Sequence, residues 1–138
     1  MTWIEDAFPG LRGSVFDITS PPADYNCIAY AAGDESRWWS HLTGYYWPAE
    51  RLPRIEALRA VFETLGYALC DNGELEDGYE KVALYAKGVS WTHASRQLPT
   101  GQWTSKLGRG EDIIHPTAQI LEGREYGLIS CFMRRVRS

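Results

Sequence analysis

The chain has 138 residues, which is the length of a single domain. Hydrophobic residues make up 44% of it and charged residues 23%, and it contains 6 Trp, 8 Tyr and 4 Phe, so a mainly disordered protein is excluded. The net charge of −4 argues against a nucleic-acid-binding protein, because such proteins typically carry a basic face.

Other features limit the location and the chemistry of the protein. No run of about 18 apolar residues is present, so no membrane span is predicted. Met1–Phe8 lacks a basic leader, which indicates the cytoplasm, or export without a leader as for an effector. Cys27, Cys70 and Cys131 form no Cys-x-x-Cys pair, and we expect neither disulfides nor a metal site. Phosphate-binding loops and zinc-protease motifs are also absent from the sequence, so no cofactor is predicted.

The N-terminal segment predicts an arm followed by a short helix. Residues 1–24 are rich in Pro and Gly and are expected to be irregular, with one short strand around Ser14–Ile18. The helix follows from about residue 25, with Asp24 or Asn26 as its N-cap and Gly33 at its end.

An aromatic loop, residues 34–48, comes after this helix. It contains Trp38, Trp39, Tyr45, Tyr46 and Trp47. Flat rings of this kind cover a core or line a groove for a peptide or sugar. We expect a lid on the core that also walls a cleft, with Trp38 and Trp39 as candidate binding residues.

The remaining pattern predicts one further helix and then strands. Apolar residues recur at 3-4 spacing from Leu52 to Leu65, and Gly66 ends this second helix. Period-two alternation then predicts strands, with a helical turn at 116–121; the strands are 67–70, 79–87, 90–98, 102–107 and 126–134. Helices before strands predict one α+β domain over residues 1–138, with the N-terminal helices packed on an antiparallel sheet.

Cys27 is the candidate nucleophile because of its place at the first turn of the predicted helix. A free thiol has a pKa of about 8.5, and the amide groups at a helix start stabilise the thiolate. The alternative is a buried structural cysteine, which is common for this residue type. Cys70 and Cys131 have no base nearby in sequence and are assigned to the core.

His93 is the candidate base for Cys27. It lies within a predicted strand, and a cysteine on a helix start beside a histidine on a strand is the arrangement that nucleophilic thiol catalysis requires.

The imidazole of His93 also needs an acceptor for its second N–H group. A three-residue turn at Pro99–Gly101 places Ser105 on the face of His93, whereas a two-residue turn places Thr104 and Lys106 there. A charged lysine accepts no hydrogen bond. The other candidates for this role are Gln97 on the same face, and Asp112 and His115 after the strand.

An ordered series of motifs over residues 24–137 resembles an uncharacterised bacterial family. The motifs are Asn26-Cys27, Thr92-His93-Ala94, Ser105-Lys106-Leu107-Gly108 followed by His115, and Tyr126-Gly127. This family is distantly similar to papain-like, NlpC-like cysteine hydrolases. The resemblance implies a papain-like fold with Cys27 as nucleophile, His93 as base and His115 as a third catalytic residue.

Two functions remain open at this stage. The first is a cysteine hydrolase, an amidase or peptidase, that acts on a peptide or another amide-containing substrate. Its candidate binding residues are Asn26, Trp38, Trp39, Gln97, Ser105 and Lys106, of which Lys106 binds a substrate carboxylate or forms a structural ion pair. The second is an inactive papain-like interaction module that binds its partner through loop 38–47. No nucleic-acid or membrane partner is expected, and the oligomeric state is left open.

Overall fold

The computed structural model of the chain describes residues 3–14, 16–20, 24–107 and 110–137. Within these residues it shows an α+β fold in which seven strands form one antiparallel sheet of order β1-β6-β5-β4-β3-β7-β2. The helices are α1 (Trp3–Ala7), α2 (Cys27–Ala31) and α3 (Ile55–Thr64), with 3-10 turns at Pro9–Leu11 and Gln119–Leu121. The strands are β1 (Asp17–Ser20), β2 (Ala68–Cys70), β3 (Tyr79–Lys87), β4 (Ser90–Gln97), β5 (Trp103–Lys106), β6 (Asp112–His115) and β7 (Leu128–Val136).

Asn26 fixes the start of α2 and ties the aromatic loop to it. Its side-chain oxygen accepts hydrogen bonds from the amides of Ala29, at 3.2 Å, and Trp39, at 3.1 Å. Its amide nitrogen donates to the Trp39 carbonyl at 2.5 Å. This confirms Asn26 as the N-cap and makes Cys27 the first residue of the helix.

Helix α3 follows the predicted amphipathic pattern. Leu58, Val61 and Phe62 are fully buried, and the chain leaves the helix at Gly66 with a φ of 92°, which glycine adopts without strain. No helix in the described part of the chain is long and apolar enough to cross a lipid bilayer.

The sheet has a core on each side because neighbouring residues of a strand point to opposite faces. On the helix side, Val82 and Leu84 of β3 pack with α2, α3 and Trp47. On the opposite side, Ala83 and Tyr85 pack with α1 and the two 3-10 turns. The N-terminal residues therefore cover one face of the sheet.

Three elements differ from the sequence predictions. The first 24 residues are not simply irregular, since they contain α1, and their strand is Asp17–Ser20 instead of Ser14–Ile18. Val15, within the predicted strand, lies outside the described residues. Strand β6 was not predicted. It has only four residues, and it forms by pairing with β5 and β1, which the local pattern does not reveal.

The turn between β4 and β5 has the three-residue form. The Leu98 amide donates to the Gln102 carbonyl at 2.7 Å, and Gln97 lies opposite Trp103. This register confirms the alternative that places Ser105 on the same face as His93.

Candidate functional site

The thiol of Cys27 is buried at the start of α2. Only 6% of the residue is exposed, and the backbone N–H groups of Ala94 on β4 and of Ile28 favour the thiolate form of its side chain. Burial raises the pKa of the thiol to about 11, while the amides of Ala94 and Ile28 and the charge of Lys106 act in the opposite direction. Cys27 is therefore a neutral thiol at rest.

His93 is also fully buried. Its Nε2 lies 3.1 Å from Ser105 Oγ, and its ring stacks on Tyr126 with a centroid distance of 3.9 Å. Burial, and then the charge of His115, hold the pKa of His93 well below 6.5. The imidazole is therefore neutral at physiological pH.

His115 belongs to the same hydrogen-bonded group, from strand β6. Its Nδ1 lies 2.8 Å from the carbonyl of Thr117, which can only accept, so Nδ1 carries the proton. Burial lowers the pKa of His115 to about 4, so the ring is neutral and its Nε2 is a bare acceptor. Ser105 Oγ lies 2.8 Å from that nitrogen and 2.6 Å from Ser95 Oγ, and its single hydroxyl proton has these two acceptors.

These contacts favour one tautomer of His93. With the hydroxyl proton of Ser105 directed to His115 or to Ser95, the bond between Ser105 Oγ and His93 forms with Nε2–H of His93 as the donor. His93 Nδ1 then carries a lone pair, and it has no hydrogen-bond partner among the described residues. Ser105 is the group that orients the base.

We expect Ser105→Ala to lower the free energy of unfolding by about 2–5 kcal/mol, since it leaves the buried N–H of His93 and the bare Nε2 of His115 without partners. Urea titration followed by tryptophan fluorescence measures the loss. Thr100→Ala, on the exposed β4–β5 turn, is the control and should change stability by less than about 0.5 kcal/mol. Equal stability of the two variants would contradict the proposed bonding.

The structure does not bring the side chains of Cys27 and His93 together. Cys27 packs with Leu84 and Ala94 in the helix-side core, whereas the His93 ring lies on the opposite face of the sheet against Tyr85 and Tyr126. Tyr126 stacks on His93 on that face. The amide that favours the Cys27 thiolate belongs to Ala94, the residue directly after His93.

A second polar group lies beside Cys27 on the helix side of the sheet. Lys106 of β5 and Asp112 of β6 face each other in register and are 0% and 1% exposed. The hydroxyl of Tyr25 donates to Asp112 Oδ2, and the Lys106 ammonium lies 5.4 Å from the Tyr25 ring. Burial lowers the pKa of Lys106 and raises that of Asp112.

Other predicted candidates lie away from the thiol. Gln97 donates to the Gly73 carbonyl at 2.8 Å, four residues along β4 from His93. Trp39 is 4% exposed and donates to Asp34, so it belongs to the core; Trp38 is half-buried. Thr104, the alternative to Ser105, lies 2.8 Å from the hydroxyl of Tyr30.

The two remaining cysteines are free and half-buried. Cys131 packs at the edge of the helix-side core, as expected, whereas Cys70 lies on the edge strand β2 and its thiol donates to the Asn72 carbonyl at 3.5 Å.

Sequence reasoning missed Tyr25, Ala94 and Tyr126 as parts of this site. Tyr126 and Ala94 do occur in the motifs that carry the family resemblance. Their occurrence in these motifs could have identified them as candidate site residues. No cluster of three or more His, Cys, Asp or Glu residues able to hold a metal ion is found within the described ranges.

Comparison with known proteins gives a family but no function. No curated protein and no solved structure matches the chain. One family model does match, over residues 17–134, which include the thiol, the histidines and the Lys106–Asp112 pair. The chain thus belongs to the family described as "Domain of unknown function (DUF7689)".

Proposed function

We propose that this protein is a cysteine hydrolase that attacks an amide or thioester carbonyl with Cys27, using His93 as general base. The observation that carries the proposal is the free lone pair on Nδ1 of His93, the residue directly before the Ala94 whose amide favours the Cys27 thiolate. The two side chains leave the sheet on opposite faces, so the transfer requires the His93 ring to turn toward the thiol. Ser105 holds the other nitrogen of the ring, as a third group must for a base to be oriented.

The resting pair is a neutral thiol and a neutral imidazole, because burial disfavours charge on both. The proton therefore moves during the attack: Sγ gives it to Nδ1 as the sulfur bonds to the carbonyl carbon. His93 then returns it to the leaving group, which yields an acyl-enzyme thioester. Water hydrolyses the thioester and regenerates the thiol.

The papain-like fold forms part of the same proposal. Three features support it: a cysteine that opens a helix, a neighbouring strand that carries the histidine, and the orienting residue on the next strand. The proposal also gives His115 a role. It acts on the base, His93, through Ser105 and is therefore a positioning residue.

The experiment is acylation of Cys27 by p-nitrophenyl acetate, with the acetyl group located by mass spectrometry. His93→Gln should slow acetylation of Cys27 by about a hundred- to ten-thousandfold, which is the contribution of a general base. His41→Gln is the matched control, since His41 packs against Trp47 and Trp91 in the aromatic loop region. Acetylation of Cys27 at equal rates in both variants would remove His93 from the mechanism.

A second candidate function is an inactive interaction module that binds through the aromatic loop. The observations that favour it are the burial of Cys27 and the missing hydrogen bond between thiol and imidazole. Leu42, Tyr45 and Tyr46 are 56%, 43% and 38% exposed and would form the contact surface. A Cys27 that the ester does not acetylate, in a folded protein, would favour this module over the hydrolase.

A peptide or another amide-bearing molecule is the substrate class in this proposal. The cytoplasm is the proposed location, with export without a leader as the alternative.

A further inference from the structure

The buried pair formed by Lys106 and Asp112 has no part in the Cys27–His93 chemistry described above. The Lys106 ammonium can donate three hydrogen bonds, and among residues 24–107 and 110–137 the one observed goes to the Gly110 carbonyl. Asp112 Oδ2 receives the hydroxyl of Tyr25, but Oδ1 has no hydrogen-bond partner among the described residues. A buried charged pair with unused donors and an unused acceptor is costly to maintain as a purely structural feature.

This pair lies beside the thiol. In the register of β4 and β5, Arg96 is opposite Thr104, so the level of Lys106 on β5 corresponds to that of Ala94 on β4. The Ala94 amide favours the Cys27 thiolate, and α2 packs against both strands. The spare groups of Lys106 and Asp112 therefore border the position that an acyl group on Cys27 would take.

The chemistry of the pair selects one kind of ligand. The ammonium donates hydrogen bonds, and the free carboxylate oxygen accepts them. A primary carboxamide matches both groups, because the same carbon carries a carbonyl oxygen that accepts and an amino group that donates. A carboxylate would set one of its oxygens against Asp112 Oδ1, which is unfavourable because both are negative.

We propose that Lys106 and Asp112 bind a primary carboxamide, with its carbonyl oxygen at the ammonium and its amino group at Asp112 Oδ1, so that its carbon faces Cys27. This inference rests on the proposed hydrolase function and names its substrate class. The thiol adds to the carbonyl carbon while its proton passes to His93 and then to the amino group. The C–N bond breaks, ammonia leaves, and water cleaves the thioester to a carboxylic acid and the free thiol.

Two alkylating probes test this preference directly. Iodoacetamide and iodoacetate share a reactive carbon and a leaving group and differ only in carboxamide against carboxylate. We expect the iodoacetamide-to-iodoacetate rate ratio at Cys27 to exceed the ratio at Cys70, measured in the same molecule, by at least about tenfold. Peptide mass spectrometry gives both ratios in the full chain.

Variants identify the groups responsible. Asp112→Asn keeps an acceptor for Tyr25 but removes the negative charge, and should bring the ratio at Cys27 to within about threefold of that at Cys70. Lys106→Met should slow iodoacetamide by about tenfold. Lys81→Met is the matched control, since Lys81 is another buried ammonium, paired with Glu76 at 3.4 Å on a different part of the sheet. Because the charge of Lys81 acts on Cys70, this control is scored on the ratio at Cys27 alone, which should not change.

The outcomes separate the inference from the function on which it rests. A ratio at Cys27 equal to that at Cys70, a faster reaction with iodoacetate, or an unchanged ratio in Asp112→Asn would overturn the carboxamide site while acetylation of Cys27 still depends on His93. A Cys27 that reacts neither with these reagents nor with p-nitrophenyl acetate would overturn the hydrolase, and the inference with it.

Discussion

Cys27→Ser is expected to reduce turnover of p-nitrophenyl acetate by about a thousand- to a millionfold, which is the range for loss of a catalytic nucleophile. A hydroxyl is a far weaker nucleophile than a thiol in the same position, because the neutral His93 must remove a more tightly held proton. Serine preserves the acceptor for the Ala94 amide, so the loss reports on chemistry rather than on folding.

The measurement is the release of p-nitrophenol beyond one equivalent of enzyme. Cys70→Ser and Cys131→Ser are matched controls, because both residues are free thiols away from the His93 ring, and both should retain turnover. Turnover that survives in Cys27→Ser, with acetyl groups on other residues, would show that the nucleophile lies elsewhere.

Acidification is expected to destabilise the fold through its buried histidines. His93 and His115 are neutral in the folded state, with the pKa of His115 lowered to about 4 and that of His93 well below 6.5. In the unfolded chain both rings take up protons near pH 6.5. Below that pH the unfolded state binds more protons, so the free energy of unfolding falls as the pH falls.

For His115 alone, this loss amounts to about 2 kcal/mol between pH 6.5 and 5, and it continues until the pH reaches the folded-state pKa. His93 adds a loss of the same sign. The raised pKa of Asp112 acts in the opposite direction, so the test compares variants rather than relying on one curve. Urea unfolding at several pH values gives the free energies.

His115→Gln offers a donor toward Thr117 and an acceptor toward Ser105 but does not titrate. Its free energy of unfolding should therefore depend less on pH than that of the wild type over pH 7 to 5. His41→Gln, outside the Ser105 group, should keep the full dependence. Equal pH slopes for wild type and His115→Gln would mean that His115 does not carry the effect.

The fold was largely readable from local patterns. Helix α3 followed from its 3-4 apolar spacing, and strand β3 has the predicted bounds, Tyr79–Lys87. Residue chemistry also reduced the cap of α2 to Asp24 or Asn26 and the β4–β5 turn to two forms, between which the structure decided. These features depend on interactions within a few residues, so the sequence contains them in readable form.

The site could be predicted only in part. Cys27 and His93 were identified as candidates, and Ser105 was one of two hydroxyls left open by the turn. His115 appeared to follow the sheet, yet it lies on β6 and bonds to Ser105. Its role depends on a strand that forms only by pairing with two distant segments.

The sequence by itself determined the α+β class, the helix that presents Cys27 and the strand that presents His93. Only the tertiary structure decided which nitrogen of His93 is free, since this depends on Ser105 of β5, His115 of β6 and the Thr117 carbonyl just beyond β6. It alone placed Lys106 against Asp112 and left one carboxylate oxygen open. Tautomers and unmet hydrogen bonds depend on partners from distant segments, and no local pattern encodes which partner a buried polar atom will meet.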